Sequence, residues 1–533
     1  MKRYIVQNIK LPVEAEKDVA FAGAKKRLLI FFSEKDILRL EVCKMSVDAR
    51  RRGDIKFVWS VAADICSDKT PDLSRLAEKG IVLSKPARLD IKIGDEKMSA
   101  RPVIVGFGPC GMFCALILAR NGYRPIVVER GKGVFERAAD VNAFFKTGIL
   151  NENSNVQFGA GGAGTFSDGK LVTRINDEKC AVVIEEMYKH GAPSDILYKA
   201  KPHVGTDKLG NVVKSFEDEI ISLGGEIRYN TVFNGINSSL GKITSVKTSD
   251  GDVSCGALIL CVGHSARDTF KNIERDGVIL TAKPFSVGVR IEHLQNDIDK
   301  MLYGDMAGDP RLPRGEYSLS HRCENGRGVY SFCMCPGGDV VAAASEHCGI
   351  VTNGMSNSQR NGKNANSAIC VSVLTDDFGN TVDGAMKFQR DIERAAFRRA
   401  GDSFFAPAQT LGDFLSGECK SGFSRVEPTY MNGKVMRMGF DGIFPKFVTD
   451  SIKEGIYDFD RKFSGFASAN AVLTAPETRT SSPVRINRND RFIADGFDNL
   501  YPCGEGAGYA GGITSAGVDG ISCALEVMAR YKI

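Results

Sequence analysis

Residues 103–112 read Val-Ile-Val-Gly-Phe-Gly-Pro-Cys-Gly-Met, and a second apolar stretch from Pro125 to Val128 ends at Glu129. The pattern predicts a buried strand, a glycine-rich turn, a helix over Met112 to Ala119, and a second strand that ends in an acid. A glycine-rich turn in an ordinary βαβ unit is the alternative. The strand, helix and acid together favour a site for the adenosine diphosphate part of a dinucleotide.

Each glycine of this turn has a mechanical role. Gly106 allows the tight turn, Gly108 lets a pyrophosphate approach the backbone, and Gly111 lets the helix pack on the strand. Phosphates at the helix N-terminus would meet free N–H groups and the positive end of the helix dipole. Glu129 follows Gly106 by 23 positions, close to the roughly 20 expected of the acid that binds an adenosine ribose.

Size and composition limit the class of protein. The chain has 533 residues, of which 43% are hydrophobic and 25% charged, which predicts two or three globular domains. We find no apolar run near the roughly 18 residues of a membrane helix and no signal-peptide pattern at the start. Fifteen cysteines without a regular framework favour a reducing cytoplasm. The net charge of +5 is mild and does not by itself indicate nucleic acid.

Residues 1–95 have the pattern of a small α+β unit, with a polar linker over residues 94–101. A basic turn from Asp48 to Lys56 includes Arg50, Arg51 and Arg52. It could contact RNA, but it lacks interleaved aromatic residues for base stacking, so a solvated loop is favoured. The predicted elements of this unit are strands at Tyr4–Ile9, Ile37–Cys43 and Ile55–Val61 and a helix at Glu14–Arg27.

A second glycine-rich stretch at residues 159–164 lacks a preceding strand and a following amphipathic helix. We therefore interpret it as a ligand-contacting loop and not as a second nucleotide-binding unit. Residues from about 280 to 480 alternate like strands and predict another large domain, after which the first domain resumes near Asp490. Further predicted elements are a short helix at Glu217–Leu223, strands at Glu226–Asn230, Ile243–Thr248, Ala257–Val262 and Leu500–Cys503, and a closing helix from Val518 to about Arg530.

Three segments carry a family resemblance: Glu129-Arg130-Gly131, Val262-Gly263, and Tyr501-Pro-Cys-Gly-Glu505-Gly. They resemble the flavoprotein superfamily with two dinucleotide-binding domains, in its single-fingerprint FAD branch related to glutathione reductase. More narrowly, the chain resembles a family of uncharacterised bacterial FAD-dependent dehydrogenases. That likeness rests on Asn155-Val-Gln-Phe-Gly with Gly164-Thr-Phe-Ser-Asp-Gly-Lys-Leu, on Asn353-Gly-Met-Ser, and on Ser46-Val-Asp-Ala-Arg.

The resemblance implies an α/β fold with a discontinuous Rossmann-like FAD-binding domain, an inserted α+β substrate or cap domain, and a small N-terminal α+β domain. The implied bounds are 1–95 for the accessory domain, 96–280 and 486–533 for the FAD-binding domain, and 281–485 for the inserted domain.

The resemblance also implies cofactor contacts. Phe233 matches the position whose backbone contacts adenine, and Gly263 lies beside the same end of the cofactor. Gly504-Glu505 matches a Gly-Asp motif for the ribityl chain, here with a longer acid, while the start of the last helix would offer N–H groups to the flavin. The predicted cofactor-binding set is Gly106, Gly108, Pro109, Gly111, Glu129, Arg130, Gly164, Thr165, Asp168, Phe233, Gly263, Gly504, Glu505, Gly512, Ile513 and Thr514.

The implied function is an FAD-dependent oxidoreductase that transfers a hydride between noncovalent FAD and an unidentified small organic substrate. NAD(P)H would serve only as a transient electron donor, because one dinucleotide fingerprint is present. A flavin-dependent RNA-modifying enzyme and a non-catalytic FAD-binding protein are the alternatives, and a nucleic-acid partner is not expected. The sequence leaves the oligomeric state open.

Several reactive residues are ambiguous. Cys323, Cys333, Cys335 and Cys348 lack the paired Cys-x-x-Cys spacing of a metal site, so we predict none. Either this cluster includes a redox-active thiol or, as we favour, all four are ordinary core and loop cysteines. Cys110 in the phosphate turn is expected to pack, although a helix start can lower a thiol pKa. His264, His321 and His347 are candidate proton donors or structural histidines, and Asp168 and Lys170 either approach the flavin or shape a turn.

Overall fold

The computed structural model describes residues 1–51, 53–85 and 88–533. At its centre lies a five-stranded parallel sheet, whose strands pair in the order Leu500–Pro502, Leu258–Leu260, Val103–Val105, Ile126–Val128 and Glu226–Arg228. All but the last of these strands are fully buried. Strands covered on both faces read as continuous apolar runs, which explains why the sequence predicted four of them so directly.

Three long helices pack on one face of this sheet. Pro109–Arg120 packs against Ile513–Arg530 and against Thr206–Ser222. The last two are longer than the sequence predicted. The closing helix begins five residues before Val518, and the helix expected at Glu217 begins at Thr206 because Leu209, Val212 and Phe216 continue its buried face across Gly210.

An antiparallel three-stranded sheet covers the other face. It consists of Phe233–Ser239, Lys242–Thr248 and Gly251–Ser254. Its apolar side chains share a core with those of Val103–Val105 and with the helix Arg267–Arg275.

The segment from 285 to 477 forms a seven-stranded sheet. Its order is Ser320–Arg322, Gly328–Cys335, Asn364–Val373, Phe285–Leu294, Val472–Glu477, Pro407–Thr410 and Met436–Arg437. The three central pairings are antiparallel. Two-stranded ribbons join Gly338–Ala342 to Thr352–Ser356, Leu280–Ala282 to Val484–Ile486, and Glu96–Lys97 to Tyr531–Lys532. The helices packed on or near this sheet are Gln295–Tyr303, Val382–Arg399, Leu411–Ser416 and Lys446–Lys462.

The N-terminal unit is an antiparallel sheet in the order Ile37–Asp48, Lys56–Ile65, Lys2–Pro12 and Ile81–Leu83. The helix Lys17–Leu28 packs on it. Met45 exchanges backbone hydrogen bonds with Tyr198 (2.7 Å) and Ala200 (2.9 Å), and Tyr303 joins the unit's core. Arg52, part of the predicted basic turn, lies outside the described residues.

The segment predicted to be a linker is docked. The Gly94 N–H donates to the Met528 carbonyl at 2.8 Å, and Glu96–Lys97 pairs with Tyr531–Lys532. The chain is therefore attached to the C-terminal helix before it enters Val103–Val105. The remaining α-helices of the described residues are Leu73–Glu78, Val134–Thr147 and Lys179–Lys189.

The mixed α/β class is confirmed, with one large sheet beside the parallel sheet. Every helix in the described ranges is too short or too polar to cross a bilayer.

Candidate functional site

A cavity of about 370 Å³ opens between the parallel sheet and the seven-stranded sheet. The strands that end at Val105, Val128 and Leu260 deliver Gly106, Glu129 and Gly263 to it. In open α/β sheets, ligands bind beyond the carboxyl ends of the strands, so the cavity lies where the glycine pattern predicted a ligand.

We call one side of the cavity the glycine wall, formed by Gly106–Cys110, Glu129–Arg130 and Gly159–Gly164, and the other the sheet wall. The sheet wall consists of Phe332, Cys333, Asn353, Glu477, Arg479 and Thr480. Backbone dominates the glycine wall, whereas side chains dominate the sheet wall.

The turn of the glycine wall needs its glycines. Gly106 has φ +98°, and a Cβ there would lie 2.6 Å from the Cys261 carbonyl oxygen. Gly111 packs directly against the Gly106 carbonyl, which is the close helix–strand approach that the sequence predicted. Around Gly108, in contrast, the nearest atom to an added Cβ is the Gly162 Cα at 3.7 Å. The space beside Gly108 therefore belongs to the cavity.

The second glycine-rich stretch completes the same wall. A Cβ on Gly162 would lie 3.0 Å from the Gly108 Cα, and one on Gly131 would lie 2.5 Å from the Gly159 Cα. The two glycine segments therefore pack backbone against backbone, which only residues without side chains allow.

Glu129 links these segments and also lines the cavity. It is 5% exposed and accepts hydrogen bonds from the backbone N–H groups of Phe107 (2.8 Å), Gly131 (2.9 Å) and Gly159 (3.0 Å). A carboxylate has about four acceptor sites, so capacity for one ribose hydroxyl remains. The sequence predicted the ribose contact but not the role in holding the loops.

Arg137 is a site residue that sequence reasoning missed. Its guanidinium is fully buried and donates to the carbonyls of Asn155 (2.8 Å), Val156 (2.9 Å), Ala160 (2.7 Å) and Gly162 (2.9 Å). Burial lowers the pKa of Arg137 to about 10, against the opposing charge of Glu129, so it stays charged at neutral pH. An arginine on an amphipathic helix carries no sequence signal for this role.

A buried ionic network supports the sheet wall. Glu393, which is fully buried, accepts from both Nη atoms of Arg267 at 2.8 Å and from Nε and Nη2 of Arg479 at 3.1 Å. Burial alone would raise the pKa of Glu393, but the charges of Arg267 and Arg479 hold it far below its usual range. Arg479 also donates to the Ser345 Oγ at 2.5 Å and faces the cavity.

A second network lies behind Cys333. Arg290 is fully buried and donates to both Glu477 carboxylate oxygens at 3.0 Å and to the Asn353 Oδ1 at 2.9 Å. Its Nη1 donates to the Cys333 carbonyl at 3.0 Å. These partners are far apart in sequence, so the pattern of residues gave no sign of the cluster.

Two titratable groups of the cavity have shifted pKa values. Burial lowers the pKa of His264 to about 3, helped by the charges of Arg479 and Arg267, so its imidazole is neutral. Burial raises the pKa of Glu505 to about 7, against the opposing charge of Lys283. The His264 Nε2 lies 4.0 Å from the Glu505 carboxylate.

The structure brings most of the predicted site residues together. Those lining the cavity are Gly106, Gly108, Pro109, Glu129, Arg130, Gly164, Asp168, Phe233, Gly263, Glu505, Gly512 and Ile513. Gly111, Thr165, Gly504 and Thr514 lie just behind this surface, where the Thr514 hydroxyl donates to the Leu171 carbonyl at 2.7 Å and the Gly504 N–H donates to Asp519 at 2.7 Å.

The ambiguous residues separate into two groups. His264, Lys170, Cys110 and Cys333 line the cavity, and Asp168, also at its surface, forms a buried ion pair with Arg360. Of the other candidates, His321 pairs with Glu454 at 2.9 Å, Cys323 contacts the Ser451 carbonyl, and His347 and Cys348 lie at a separate surface cleft.

The open spaces of the cavity fit a dinucleotide. No atom lies within 4 Å of an added Cβ at Gly263, Gly511 or Gly512, and all three glycines face the cavity together with Gly108. At Gly108, Gly263 and Gly512, where the sequence predicted cofactor contact, the cavity is therefore bordered by backbone.

Comparisons with known proteins agree with this fit. The family described as "FAD-dependent protein, C-terminal domain-like" matches residues 284–480. A protein of Clostridium beijerinckii is 45% identical over 531 residues, covering 99% of each chain.

Solved structures are more distant. Glycine oxidase from Bacillus cereus aligns with 81% of this chain and 99% of its own at 12% identity and a TM-score of 0.31. NikD, described as an unusual amino acid oxidase, aligns with 81% of this chain and 94% of its own at 10% identity and a TM-score of 0.32. These scores are too low to support an argument, and the narrower relation to glutathione reductase stays a prediction.

The assignment of family and cofactor therefore rests on the relative that matches the whole length of the chain, on the FAD-dependent domain family and on the glycine wall. The chain belongs to the same family as the Clostridium beijerinckii protein and is a flavoprotein whose cofactor is FAD.

Proposed function

We propose that this protein is an FAD-dependent oxidoreductase that transfers a hydride between the flavin and a small organic substrate. The observation that carries the proposal is the shared cavity, in which the glycine wall faces the reactive side chains of Lys170, Cys333, Arg479 and Glu505. A protein that held FAD only as a structural element would not need titratable groups and a thiol beside it. The arrangement supports a catalyst over the non-catalytic alternative.

In this proposal the chain binds FAD through backbone and a few acids. The first turn of Pro109–Arg120 receives the pyrophosphate, Glu129 the ribose, and Phe233 and Gly263 the adenine end. Glu505 and the segment 512–514 would contact the ribityl chain and the flavin. When bound, FAD supplies hydride transfer, and the chain supplies orientation and electrostatics.

The final helix favours the reduced flavin electrostatically. Ile513–Arg530 is 18 residues long, and Gly512 and Ile513 at its N-terminus face the cavity. Unpaired N–H groups and the helix dipole stabilise negative charge at such an end. Charge that develops on the flavin as hydride arrives would be stabilised there.

Glu505 is the group best suited to hold or release a proton near the substrate. Its pKa of about 7 places both protonation states within reach at neutral pH, which is the condition for efficient acid–base work. His264 remains neutral and can donate or accept a hydrogen bond, but it does not provide a charged acid.

The same proposal limits how tightly a nicotinamide electron donor could bind. Gly159–Gly164 packs on Gly108 and Gly131 and so supports the first nucleotide site. A nicotinamide would therefore dock transiently between the two walls, with weak affinity. Stopped-flow bleaching of the flavin against NADH and NADPH concentration measures this, and submicromolar saturation with a stable charge-transfer band would contradict it.

The first experiment is to denature the purified holoprotein and identify the released flavin. FAD and not FMN is expected, because the glycine wall suits an adenosine diphosphate moiety. Turnover with a panel of electron donors and acceptors then separates a catalyst from a passive FAD binder. Copurifying RNA with steep salt dependence would instead support the RNA-modifying alternative.

We also propose the domain bounds 1–95, 96–280, 281–485 and 486–533, and a cytoplasmic location. All fifteen cysteines are free thiols, which supports a reducing compartment. The partner we expect is a small-molecule substrate.

A further inference from the structure

Cys333 lies in a distortion of the seven-stranded sheet. Pairing between Gly328–Cys335 and Asn364–Val373 is regular up to Phe332 and resumes at Cys335, so Cys333 and Met334 bulge out of register. Cys333 has φ +45°, a conformation that costs an ordinary side chain free energy. Bulges of this kind recur next to active sites, where they redirect a side chain.

Three hydrogen bonds hold the bulge. Arg290 Nη1 donates to the Cys333 carbonyl at 3.0 Å, and the Cys335 thiol donates to the same oxygen at 3.3 Å. Lys170 Nζ donates to the Met334 carbonyl. The carbonyls of Cys333 and Met334 therefore both have partners, which holds the backbone of the bulge in place.

The two thiols have different environments. Cys333 is half-buried and lines the cavity, whereas Cys335 is fully buried behind it. The Cys335 thiol can turn its proton from the Cys333 carbonyl to the Cys333 sulfur. That hydrogen bond lowers the pKa of Cys333 well below that of a free thiol, and the charges of Arg290 and Lys170 act in the same direction. Hydrogen bonding with Cys333, followed by burial, raises the pKa of Cys335. An accessible thiolate beside a protonated partner is the arrangement that starts thiol–disulfide chemistry.

We propose that Cys333 and Cys335 form a redox-active dithiol that exchanges an electron pair with the FAD of this cavity. The proposal rests on the proposed function, because it requires the flavin to lie between the two walls. In the oxidising direction, an S–S bond forms between the Cys333 thiolate and the Cys335 sulfur as the Cys335 S–H bond breaks. The two electrons and the proton released are transferred to oxidised flavin, so atoms and charge balance.

A second thiol pair on the other wall provides an internal comparison. The Cys110 and Cys261 sulfurs lie 3.2 Å apart and both border the cavity. Burial raises the pKa of both thiols. Cys503 lies against them, and hydrogen bonds with Cys110 and Cys261 outweigh its burial and lower its pKa, but it is fully buried behind the cavity lining. These three cysteines therefore present no thiolate to the cavity. The proposal therefore assigns the redox role to Cys333 and Cys335 alone.

Reductive titration of the oxidised holoprotein tests the proposal. Under anaerobic conditions, dithionite should deliver twice as many electrons per bound FAD to the wild-type protein as to Cys333→Ser or Cys335→Ser. Cys348→Ser, a half-buried thiol elsewhere on the chain, is the matched control and should keep the wild-type count. Equal counts for the wild-type protein and both serine variants would overturn the proposal.

Peptide mass spectrometry provides a readout independent of the flavin signal. Trypsin releases residues 328–360, which also contain Cys348, so the Cys348→Ser background removes that ambiguity. An internal disulfide between Cys333 and Cys335 is expected after oxidation and two alkylated thiols after reduction. Free Cys333 and Cys335 in the oxidised protein, or a Cys110–Cys261 disulfide in their place, would contradict the assignment.

The failure of this proposal can be separated from the failure of the proposed function. If Gly108→Val retains FAD, the cofactor does not occupy this cavity and the proposed function fails. If Gly108→Val loses FAD but wild-type protein takes up only one electron pair per FAD, the dithiol proposal alone fails.

Discussion

The glycine wall and the sheet wall of the cavity differ in how they are built. The glycine wall comes from residues 106–164, with mainly backbone atoms and the acid Glu129 at the surface. The sheet wall takes Cys333, Asn353, Glu477 and Arg479 from strands and loops far apart in sequence. The glycine wall could therefore be predicted from short-range sequence patterns, whereas the sheet wall is assembled from residues that are distant in sequence.

The two walls also use charge differently. Glu129 of the glycine wall and Arg137 behind it bond mainly to backbone groups and hold loops in place. Arg479 of the sheet wall and the buried Arg267 behind it both bond to Glu393. Removal of one member of such a buried ion network leaves uncompensated charge, so stability should be more sensitive to single changes behind the sheet wall.

Glu393→Gln is the sharpest test of that difference. It keeps the shape of the side chain but removes the charge that Arg479 pairs with and leaves Arg267 with Glu346 at 3.2 Å as its counter-ion, so we expect a loss of about 3–5 kcal/mol in the free energy of unfolding. Urea unfolding monitored by circular dichroism measures it. Asp391→Asn, in an exposed pair with Lys387 on the same helix, is the control and should cost under about 0.5 kcal/mol. A cost below about 1 kcal/mol for Glu393→Gln would show that the network is dispensable.

On the glycine wall, Gly108→Val should act on the cofactor and leave the fold intact. The branched side chain enters the space where the pyrophosphate must approach, and overpacking of about 3 kcal/mol corresponds to about a hundredfold weaker FAD binding. Equilibrium dialysis and the thermal unfolding of the apoprotein measure the two effects separately. Gly53→Val, with open space around it on the N-terminal unit, should leave affinity unchanged. FAD affinity of Gly108→Val protein within about threefold of wild type, a change of under about 1 kcal/mol, would refute the assignment of this loop.

The carboxyl group of Glu505, which lines the cavity, should make the free energy of unfolding depend on pH. Burial raises its pKa to about 7, above the roughly 4.3 of an unfolded glutamate. The folded state therefore binds the Glu505 proton more tightly than the unfolded state does. The resulting contribution to the free energy of unfolding is complete below about pH 4.3 and is lost as the pH rises through about 7.

Glu505→Gln should remove the Glu505 contribution to the fall in stability with rising pH. That contribution is at most about 2 kcal/mol, because the side chain is 28% exposed. Thermal unfolding of the apoprotein between about pH 5 and about pH 8 measures the slope. Exposed Glu178→Gln should leave it unchanged. Identical slopes for wild-type protein and Glu505→Gln would rule out the raised pKa.

Removal of the N-terminal unit should have the smallest effect. A deletion of residues 1–85 keeps the docked segment at Gly94 and Glu96–Lys97, and neither wall includes a residue of this unit. We expect FAD affinity within about threefold of the full chain, a change of under about 1 kcal/mol. Soluble truncated protein that fails to retain FAD would make the N-terminal unit part of the cofactor site.

Sequence reasoning predicted elements well where burial is uniform or alternation is clear. Lys2–Pro12 and Lys56–Ile65 confirm two predicted strands, and Val103–Val105 confirms the fingerprint strand. It failed at the start of Thr206–Ser222, where Gly210 and Asn211 interrupt the apolar spacing, and at the start of the closing helix, where Gly517 does so. In both helices tertiary packing outweighs the local propensity of a few weak helix formers.

The sequence by itself determined the turn at Gly106–Gly111 and the acid at Glu129, because backbone conformation and strand–helix order are local properties, whereas FAD as the cofactor followed from the family resemblance. Only the tertiary structure decided that Arg137 holds the second glycine loop, that Arg267 and Arg479 share Glu393, and that Cys333 faces the same cavity. Those contacts join residues brought together by burial, and charges or thiols distant in sequence carry no periodic signal of their future partners.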